Sequence, residues 1–154
     1  KLLKGNARLS NEQLAVMLGV TPEEVAARIA DYEKRGVIKG YSVILKEELA
    51  DKNAVTAFIE VKVTPKADFG FDELARTIMM YDEVDSVTLM SGSFDLAVTL
   101  SGTNYKEIAL FVAKRLSSID GVISTSTHFV LKQYKEQGFF IENEAADERG
   151  FVSP

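Results

Sequence analysis

Two helix-start signals, at Ser10 and at Thr21, constrain this chain more than any other feature. Ser10 is followed three residues later by Gln13, and Thr21 by Pro22 and then, at the third position, Glu24. In such a capping box the hydroxyl accepts from the backbone N–H three residues on, while the longer side chain reaches back. Proline at the first helical position strengthens the second start, because its missing N–H costs nothing there. The pattern predicts two helices joined by a tight turn at Gly19 and Val20.

Apolar spacing predicts which side of each helix faces inward. On the first helix we expect inward positions at Leu14, Val16, Met17 and Leu18. On the second, three apolar residues follow a 3.6-residue period: Val25, Ile29 and Tyr32. The opposite face carries Glu23, Glu24, Ala27, Arg28 and Asp31.

Gly36 is expected to end the second helix in a left-handed conformation, and residues 37–45 then predict a strand with a turn. Two helices followed by such a wing are typical of a winged helix-turn-helix, whose second helix enters a major groove roughly 12 Å wide. The helical pair alone is equally compatible with a hairpin that only packs against the rest of a fold.

The charge of the chain is unevenly distributed. The net charge of −5 at first argues against a nucleic-acid partner. Residues 1–45, however, hold seven basic and five acidic side chains, a net +2, whereas the remainder carries −7. This change of sign is expected if only the first part meets DNA. Because a net charge of +2 attracts DNA only weakly, tight binding would need several copies of the chain acting together.

Composition argues against a membrane protein, a disulfide-stabilised protein and a metalloenzyme. With 154 residues, 46% of them hydrophobic, the chain can build one or two compact domains. We find no stretch long enough for a membrane span and no signal peptide. The absence of cysteine fits a cytoplasmic protein, and a single histidine leaves little material for a metal site or an acid-base catalyst. The sequence begins at Lys1 in what resembles the tail of a helix, so we expect an N-terminal piece to be missing.

Beyond residue 53 the elements follow the order βαββαβ, the split unit of a ferredoxin-like α/β (α+β) sandwich. The strands are predicted at residues 54–63, 84–90, 96–101 and 122–134, and the helices at residues 71–81 and 105–116. The expected domains are a winged helix-turn-helix at 1–45, a linker at 46–53, the sandwich at 54–138 and a C-terminal extension at 139–154. That extension is expected to pair with a sheet edge or a neighbouring subunit, or to be partly disordered.

One face of the predicted sheet is left uncovered by the two helices. It carries Thr56, Phe58, Glu60 and Lys62 from the first strand and Ser124, Ser126 and His128 from the last. A face with these residues is better explained by sheet-to-sheet dimerisation than by exposure to solvent.

This combination resembles the leucine-responsive regulator/AsnC (Lrp/AsnC, feast/famine) family of transcription regulators over residues 1 to about 138. The likeness is carried by ordered motifs at residues 6–10, at residues 28–29 followed by Glu33 and residues 36–41, and at residues 91–96, 121–127 and 131–132. It implies a DNA-binding regulator of transcription that assembles from homodimers into tetramers, octamers or larger, and that often senses an amino acid. We expect no cofactor and no metal site, since the chain has no cysteine and one histidine.

The resemblance also carries over an effector site between C-terminal domains of neighbouring subunits. By position, its residues are Gly92, Ser93, Phe94 and Asp95, with Thr125 and Thr127 as weaker candidates. An amino acid needs an acceptor for its ammonium group, which Asp95 can supply, and backbone N–H groups for its carboxylate. The alternative is that Gly92 serves only the turn and Asp95 only satisfies loop amides.

The expected DNA contacts lie on and around the second helix. They are Ser10, Asn11, Thr21, Pro22, Glu23, Glu24, Ala27, Arg28, Lys34, Arg35 and Lys39. Arg28 is the main candidate for a base or phosphate contact, and the later cations suit phosphates. The acidic start at Glu23 and Glu24 departs from what DNA prefers. Glutamate can still accept from a cytosine amino group, and Glu24 can serve the capping box instead.

Two alternatives remain open from the sequence. A ligand-binding module with little DNA affinity is favoured by Glu23 and Glu24. The other alternative is an enzyme, because some proteins that resemble this family decarboxylate tetrapyrroles. Such a reaction should need histidines and a basic pocket, whereas residues 46–154 contain only His128 and carry a net charge of −7. We therefore expect no enzymatic activity. The sequence does not identify the effector, the operator or the direction of regulation.

Overall fold

The computed structural model describes residues 1–64 and 70–141, without the side chain of Glu48. These residues form two compact units. One contains residues 1–45 with the described chain from Lys135 onward, and the other contains residues 46–134.

The first unit is built on three helices, α1 (Leu2–Gly5), α2 (Asn11–Leu18) and α3 (Pro22–Lys34). Both predicted capping boxes are present, with Ser10 and Thr21 as the N-cap residues. Gly19, which ends α2, has a left-handed backbone with φ of 66°. The small core consists of Leu14, Ala15 and Val25, against which Leu3, Leu9, Val20 and Ile29 pack.

The predicted inward face of α2 is wrong for three of its four residues. Leu14 is buried, but Val16, Met17 and Leu18 are 84%, 58% and 51% exposed. Tyr32, predicted inward on α3, is also exposed. Three short helices enclose little volume, so that only a few side chains can leave the solvent.

The strand predicted over residues 37–45 is not formed. After Gly36, whose φ is 70°, the backbone N–H groups of Val37 and Ile38 both donate to the Tyr32 carbonyl oxygen, at 2.8 and 3.1 Å. Residues 39–45 then run without regular secondary structure, and no described residue pairs with them in a ladder. A strand depends on a neighbour for its backbone hydrogen bonds, and the described chain provides none here. Farther along, the segment predicted as a linker contains one helical turn, α4 (Glu47–Ala50).

The elements of the second unit are β1 (Val55–Val63), α5 (Asp72–Ile78), β2 (Val84–Leu89), β3 (Leu96–Gly102), α6 (Tyr105–Phe111) and β4 (Val122–Phe129). Its four strands form an antiparallel sheet with the order β2-β3-β1-β4, the ferredoxin-like arrangement that the element order predicts. A π-helical turn, Val112–Leu116, continues α6, and the Ser117 N–H donates to the Val112 carbonyl oxygen at 2.8 Å.

Helices α5 and α6 cover one face of this sheet. The fully buried residues from the strands are Ala57, Ile59, Val61, Leu96, Val98 and Leu100, and those from the helical side include Ile78 and Leu116. On β1 the alternate residues point to the other face, where Phe58 and Glu60 are half-buried and Lys62 is exposed. We call this second side the open face, and its alternation agrees with the prediction.

Strand β4 ends at Phe129, earlier than the predicted Tyr134. The chain then forms a short hairpin of β5 (Lys135–Glu136) and β6 (Phe139–Phe140). Its two turn residues, Gln137 and Gly138, both have positive φ, at 46° and 96°. Tight two-residue turns of this kind fit the twist of a hairpin. Of the C-terminal extension, residues 142–154 lie outside the described residues.

Across residues 1–64 and 70–141, we find no helix with the length and apolar character that a membrane crossing requires.

Asp95 stabilises the second unit at the end of β1, where the register shifts between Lys62 and Val63. Its Oδ2 accepts from the Val63 N–H at 2.9 Å, and its own N–H donates to the Val61 carbonyl oxygen at 3.0 Å. We expect Asp95→Ala to lower the free energy of unfolding by about 1–3 kcal/mol, because the Val63 N–H loses its acceptor. Denaturant unfolding followed by circular dichroism measures this change, and amide hydrogen exchange at Val63 localises it. Asp95→Asn, which keeps an acceptor oxygen, is the control, and an unchanged stability in Asp95→Ala would contradict the role of this bond.

Candidate nucleic-acid interface and effector site

The two helix starts of the first unit are closed by reciprocal hydrogen bonds. The Gln13 N–H donates to Ser10 Oγ at 3.2 Å, and the Ser10 N–H donates to Gln13 Oε1 at 2.9 Å. At α3, the Glu24 N–H donates to Thr21 Oγ1 at 3.2 Å and the Thr21 N–H donates to Glu24 Oε2 at 2.9 Å. Glu24, an expected DNA contact, therefore uses one carboxylate oxygen within the protein.

The first two turns of α3 expose all their described side chains except Pro22, which is half-buried, and Val25. Val25 is buried and fixes the inward direction, whereas Glu23, Ala27 and Arg28 are exposed. No other described side chain forms an ion pair or hydrogen bond with Arg28. A guanidinium has five N–H donors in a planar fork, which matches phosphates and guanine edges. This arrangement can present a cation and a carboxylate to a ligand outside the protein.

The basic residues that follow the first two turns of α3 differ in whether another side chain binds them. Arg35 holds Asp31 through two contacts to Oδ2, from Nη2 at 2.7 Å and from Nε at 2.8 Å, and it also lies over the Tyr32 ring. Lys34 and Lys39 are exposed. Arg35 thus carries a neutralised charge, which reduces what it can offer to a phosphate.

The segment after α3 is linked back to that helix by a hydrogen bond. The Tyr41 hydroxyl donates to Glu33 Oε1 at 2.9 Å, and this bond raises the pKa of Tyr41 above its usual value. Sequence reasoning did not pair these residues, since nothing in their spacing of eight marks them as neighbours.

The predicted effector loop connects β2 to β3 in the second unit. The Met90 N–H donates to the Asp95 carbonyl oxygen at 2.8 Å and closes the loop. Gly92 and Ser93 are exposed at its tip, while Phe94 packs edge-on against Phe58, with ring centroids 6.0 Å apart. Phe94 therefore lies on the open face.

Thr125 and Thr127, the weaker candidates, lie on the other side of the sheet. They pair with Val61 and Ile59, two residues buried beneath the helices, and Thr125 Oγ1 lies 3.1 Å from Ser117 Oγ. Within one chain, the structure brings Gly92 to Asp95 together as a loop but does not bring the two threonines to Phe94.

The open face holds a polar pair beside its aromatic residues. His128 Nε2 lies 3.6 Å from Glu60 Oε1, and its ring lies 6.1 Å from that of Phe58. Within the described part of the chain, no three His, Asp or Glu side chains gather as they would around a metal ion.

Sequence reasoning missed a cavity of about 190 Å³ in the second unit. It lies where the end of β1, helix α5 and the turn before β4 meet, and its lining includes Thr64, Gly70, Glu73, Thr77 and Asp120. These residues come from the ends of three separate elements, so no periodic pattern in the sequence could have joined them.

Two family models match the chain. The model of the winged helix-turn-helix DNA-binding domain matches residues 1–39, and the model of the Lrp/AsnC ligand binding domain matches residues 56–138. The division between them agrees with a helical first part and a sandwich that follows.

Relatives and solved structures support the same family. An uncharacterized HTH-type transcriptional regulator of Bacillus subtilis, YugG, is 44% identical over 100% of this chain and 93% of its own length. The leucine-responsive regulatory protein of Haemophilus influenzae is 29% identical over 90% of this chain and 83% of that protein. A transcriptional regulator of Neisseria meningitidis, solved as a complex with L-Met, superimposes with a TM-score of 0.71 at 27% identity, covering 88% of this chain and 86% of that one.

A helix-turn-helix with an exposed second helix, a ferredoxin-like ligand-binding domain and relatives of matching length lead to one assignment: the chain belongs to the Lrp/AsnC family of DNA-binding transcription regulators.

Proposed function

We propose that this regulator reads a specific DNA sequence with helix α3, and the single observation that carries this proposal is the exposed, unpaired Arg28. Glu23 and Ala27 point away from the buried Val25, and Arg28 is exposed on the flank of the helix next to Ala27. Arg28 would contact a base edge or a phosphate, because a free guanidinium on the groove-facing helix suits both.

The N-terminal turns of α2 and α3 would hold the DNA backbone. The Thr21 hydroxyl accepts within its capping box, so that its O–H is left to donate to a phosphate, whereas the Ser10 hydroxyl also donates to the Glu12 carboxylate. Asn11 and Pro22 begin the two helices beside them, where N–H groups and the helix dipole favour anions. Of the later cations, Lys34 and Lys39 would add phosphate contacts, and Arg35 would add less because Asp31 already holds it.

We expect Arg28→Ala to weaken specific DNA binding by about 1–3 kcal/mol if Arg28 reads a base. Fluorescence anisotropy on a duplex from upstream of the protein's own gene, at a fixed salt concentration, measures the affinity. Arg76→Ala, which removes an exposed guanidinium from the second unit, is the matched control and should leave the affinity unchanged. An unchanged affinity for Arg28→Ala would remove this residue from the interface.

We also propose that the protein acts as a homodimer that assembles further into tetramers or octamers. The open face supports this, since Phe58, Phe94 and His128 lie together on a sheet surface that no described element covers. The unpaired segment at residues 39–45 adds backbone groups that lack a ladder partner. A net charge of +2 on residues 1–45 supports several DNA-binding units acting together, because avidity then compensates for weak individual binding.

We expect Phe58→Glu to dissociate the dimer, because it places a second carboxylate beside Glu60 on the surface that would be buried. Sedimentation velocity measures the assembly state, and circular dichroism verifies the fold. Leu110→Glu makes the same kind of change on an exposed part of α6, away from the open face, and should leave assembly intact. A Phe58→Glu protein that sediments as the wild type does would exclude the open face as the interface.

We propose that an amino acid or related small molecule modulates this regulator from the β2–β3 loop. The L-Met complex of the Neisseria meningitidis regulator supports this class of ligand. The Asp95 carboxylate uses Oδ2 for Val63, so Oδ1 is the oxygen that would accept from an ammonium group. Gly92 and Ser93 would offer backbone N–H groups to the ligand carboxylate, Phe94 would contact its side chain, and Thr125 and Thr127 would contribute only from another subunit.

A thermal-shift screen of the amino acids tests this proposal. A ligand at one hundred times its dissociation constant should stabilise the protein by about 2.7 kcal/mol. Asp95→Asn, which keeps an acceptor for the Val63 N–H but loses the negative charge that would attract the ammonium group, should reduce the shift while leaving the unliganded melting temperature close to that of the wild type. A flat screen would contradict an amino-acid effector.

We propose no catalytic role for this protein. His128, the one histidine, lies beside Glu60 on the face that the proposal assigns to dimerisation. We propose that the protein binds DNA in the cytoplasm.

A further inference from the structure

The acidic residues of α3 differ in whether they have a partner. Glu24 accepts from the Thr21 N–H, Asp31 is held by Arg35, and Glu33 accepts from the Tyr41 hydroxyl. Glu23 is exposed, and no other residue within 1–64 and 70–141 hydrogen-bonds or ion-pairs with its side chain. Of the four carboxylates on this helix, Glu23 is therefore the one available to a molecule outside the protein.

Glu23 also occupies the N-terminal part of α3, which a helix-turn-helix directs towards the DNA bases. It is the second residue of a thirteen-residue helix, two positions before the buried Val25 and so on roughly the opposite side. In a helix-turn-helix the N-terminal residues of the second helix contact base edges in the major groove. Ala27 lies one turn later on the same side, and its methyl group leaves the glutamate open to the groove.

A free carboxylate in this position discriminates strongly among the groups that DNA offers. It is repelled by phosphates, and it has no attractive partner among the acceptor atoms of guanine and thymine in the major groove. The major groove offers two amino donors, cytosine N4 and adenine N6, but adenine N6 lies beside the N7 acceptor of the same base, which repels a carboxylate. Cytosine N4 is therefore the better partner. Sites without a suitable donor would leave the carboxylate desolvated and unpaired, which weakens binding to them.

We propose that Glu23 is a specificity-determining residue that accepts from a cytosine amino group in the major groove and disfavours all sites that lack one. The inference rests on the proposed DNA binding through α3. It assigns the two neighbouring glutamates different tasks: Glu24 caps the helix, and Glu23 selects the sequence.

The test compares Glu23→Gln with the matched variant Glu24→Gln. Both remove one negative charge from the same helical turn, and the Glu24 variant keeps an oxygen that can accept from the Thr21 N–H. Binding-site selection from a random duplex library, followed by sequencing, defines the preferred site of each protein. Affinities for that site and for a random duplex are then measured at the same salt concentration.

We expect Glu23→Gln to bind random DNA more tightly, because a charge that repels phosphates is gone. We expect its ratio of specific to random affinity to fall by about fivefold or more, since a good base contact is worth at least that much discrimination. The selected sites should also shift at one position from cytosine towards adenine, because a glutamine amide both accepts and donates and so pairs with adenine N6 and N7, and Glu23→Ala should show no preference there. Glu24→Gln should keep both the ratio and the preference.

Two outcomes would overturn the inference, and they differ from each other. If wild type binds DNA and Glu23→Gln raises the affinities for specific and random DNA by the same factor, Glu23 is only a repulsive charge, and DNA binding through α3 stands. If wild type binds no duplex at low salt, the DNA-binding proposal fails and this inference fails with it. Because Glu23 is exposed, circular dichroism should show an unchanged fold, and Glu23→Ala provides a second variant without any acceptor.

Discussion

The pairing of β1 with strands on both of its sides is the interaction on which the second unit depends. Its residues alternate between the helix-covered face, where Ala57, Ile59 and Val61 are buried, and the open face, where Phe58 and Glu60 lie. A slip of one residue would exchange these two sets, so the register is strongly specified. The Asp95 carboxylate secures the end of this strand where the regular ladder shifts, and the loop expected to hold an effector is thereby also part of the sheet's support.

The first unit depends instead on its helix caps. Because its core has only three buried side chains, packing contributes little, and hydrogen bonds at Ser10 and Thr21 determine where α2 and α3 begin. The same bonds determine which charges remain available, because the capping box of α3 takes Glu24 and leaves Glu23. The same few hydrogen bonds therefore determine both where the helix begins and which carboxylate remains available to contact DNA.

Several surfaces of the single chain expose apolar side chains or backbone groups that have no partner within the described chain. The open face exposes aromatic rings, residues 39–45 have no ladder partner in the described chain, and Val16 and Met17 stay in solvent. A modest charge of +2 on residues 1–45 points in the same direction. The proposed association of copies would bury apolar surface of this kind and would let several weak DNA contacts act together.

The sequence by itself determined the features that arise between residues close in the chain. Capping boxes, the glycine turns and the alternation of β1 need only local hydrogen bonds or a fixed side-chain period, and the βαββαβ order restricted the topology further. The tertiary structure alone decided which apolar residues of α2 are buried, that residues 37–45 form no strand, and that Thr125 lies on the face away from Phe94. It also decided that Arg35 and Glu24 are engaged while Arg28 and Glu23 are free. The physical reason is that a side chain's role depends on which partner lies within hydrogen-bonding distance, and such partners are set by the folded backbone rather than by spacing along the chain.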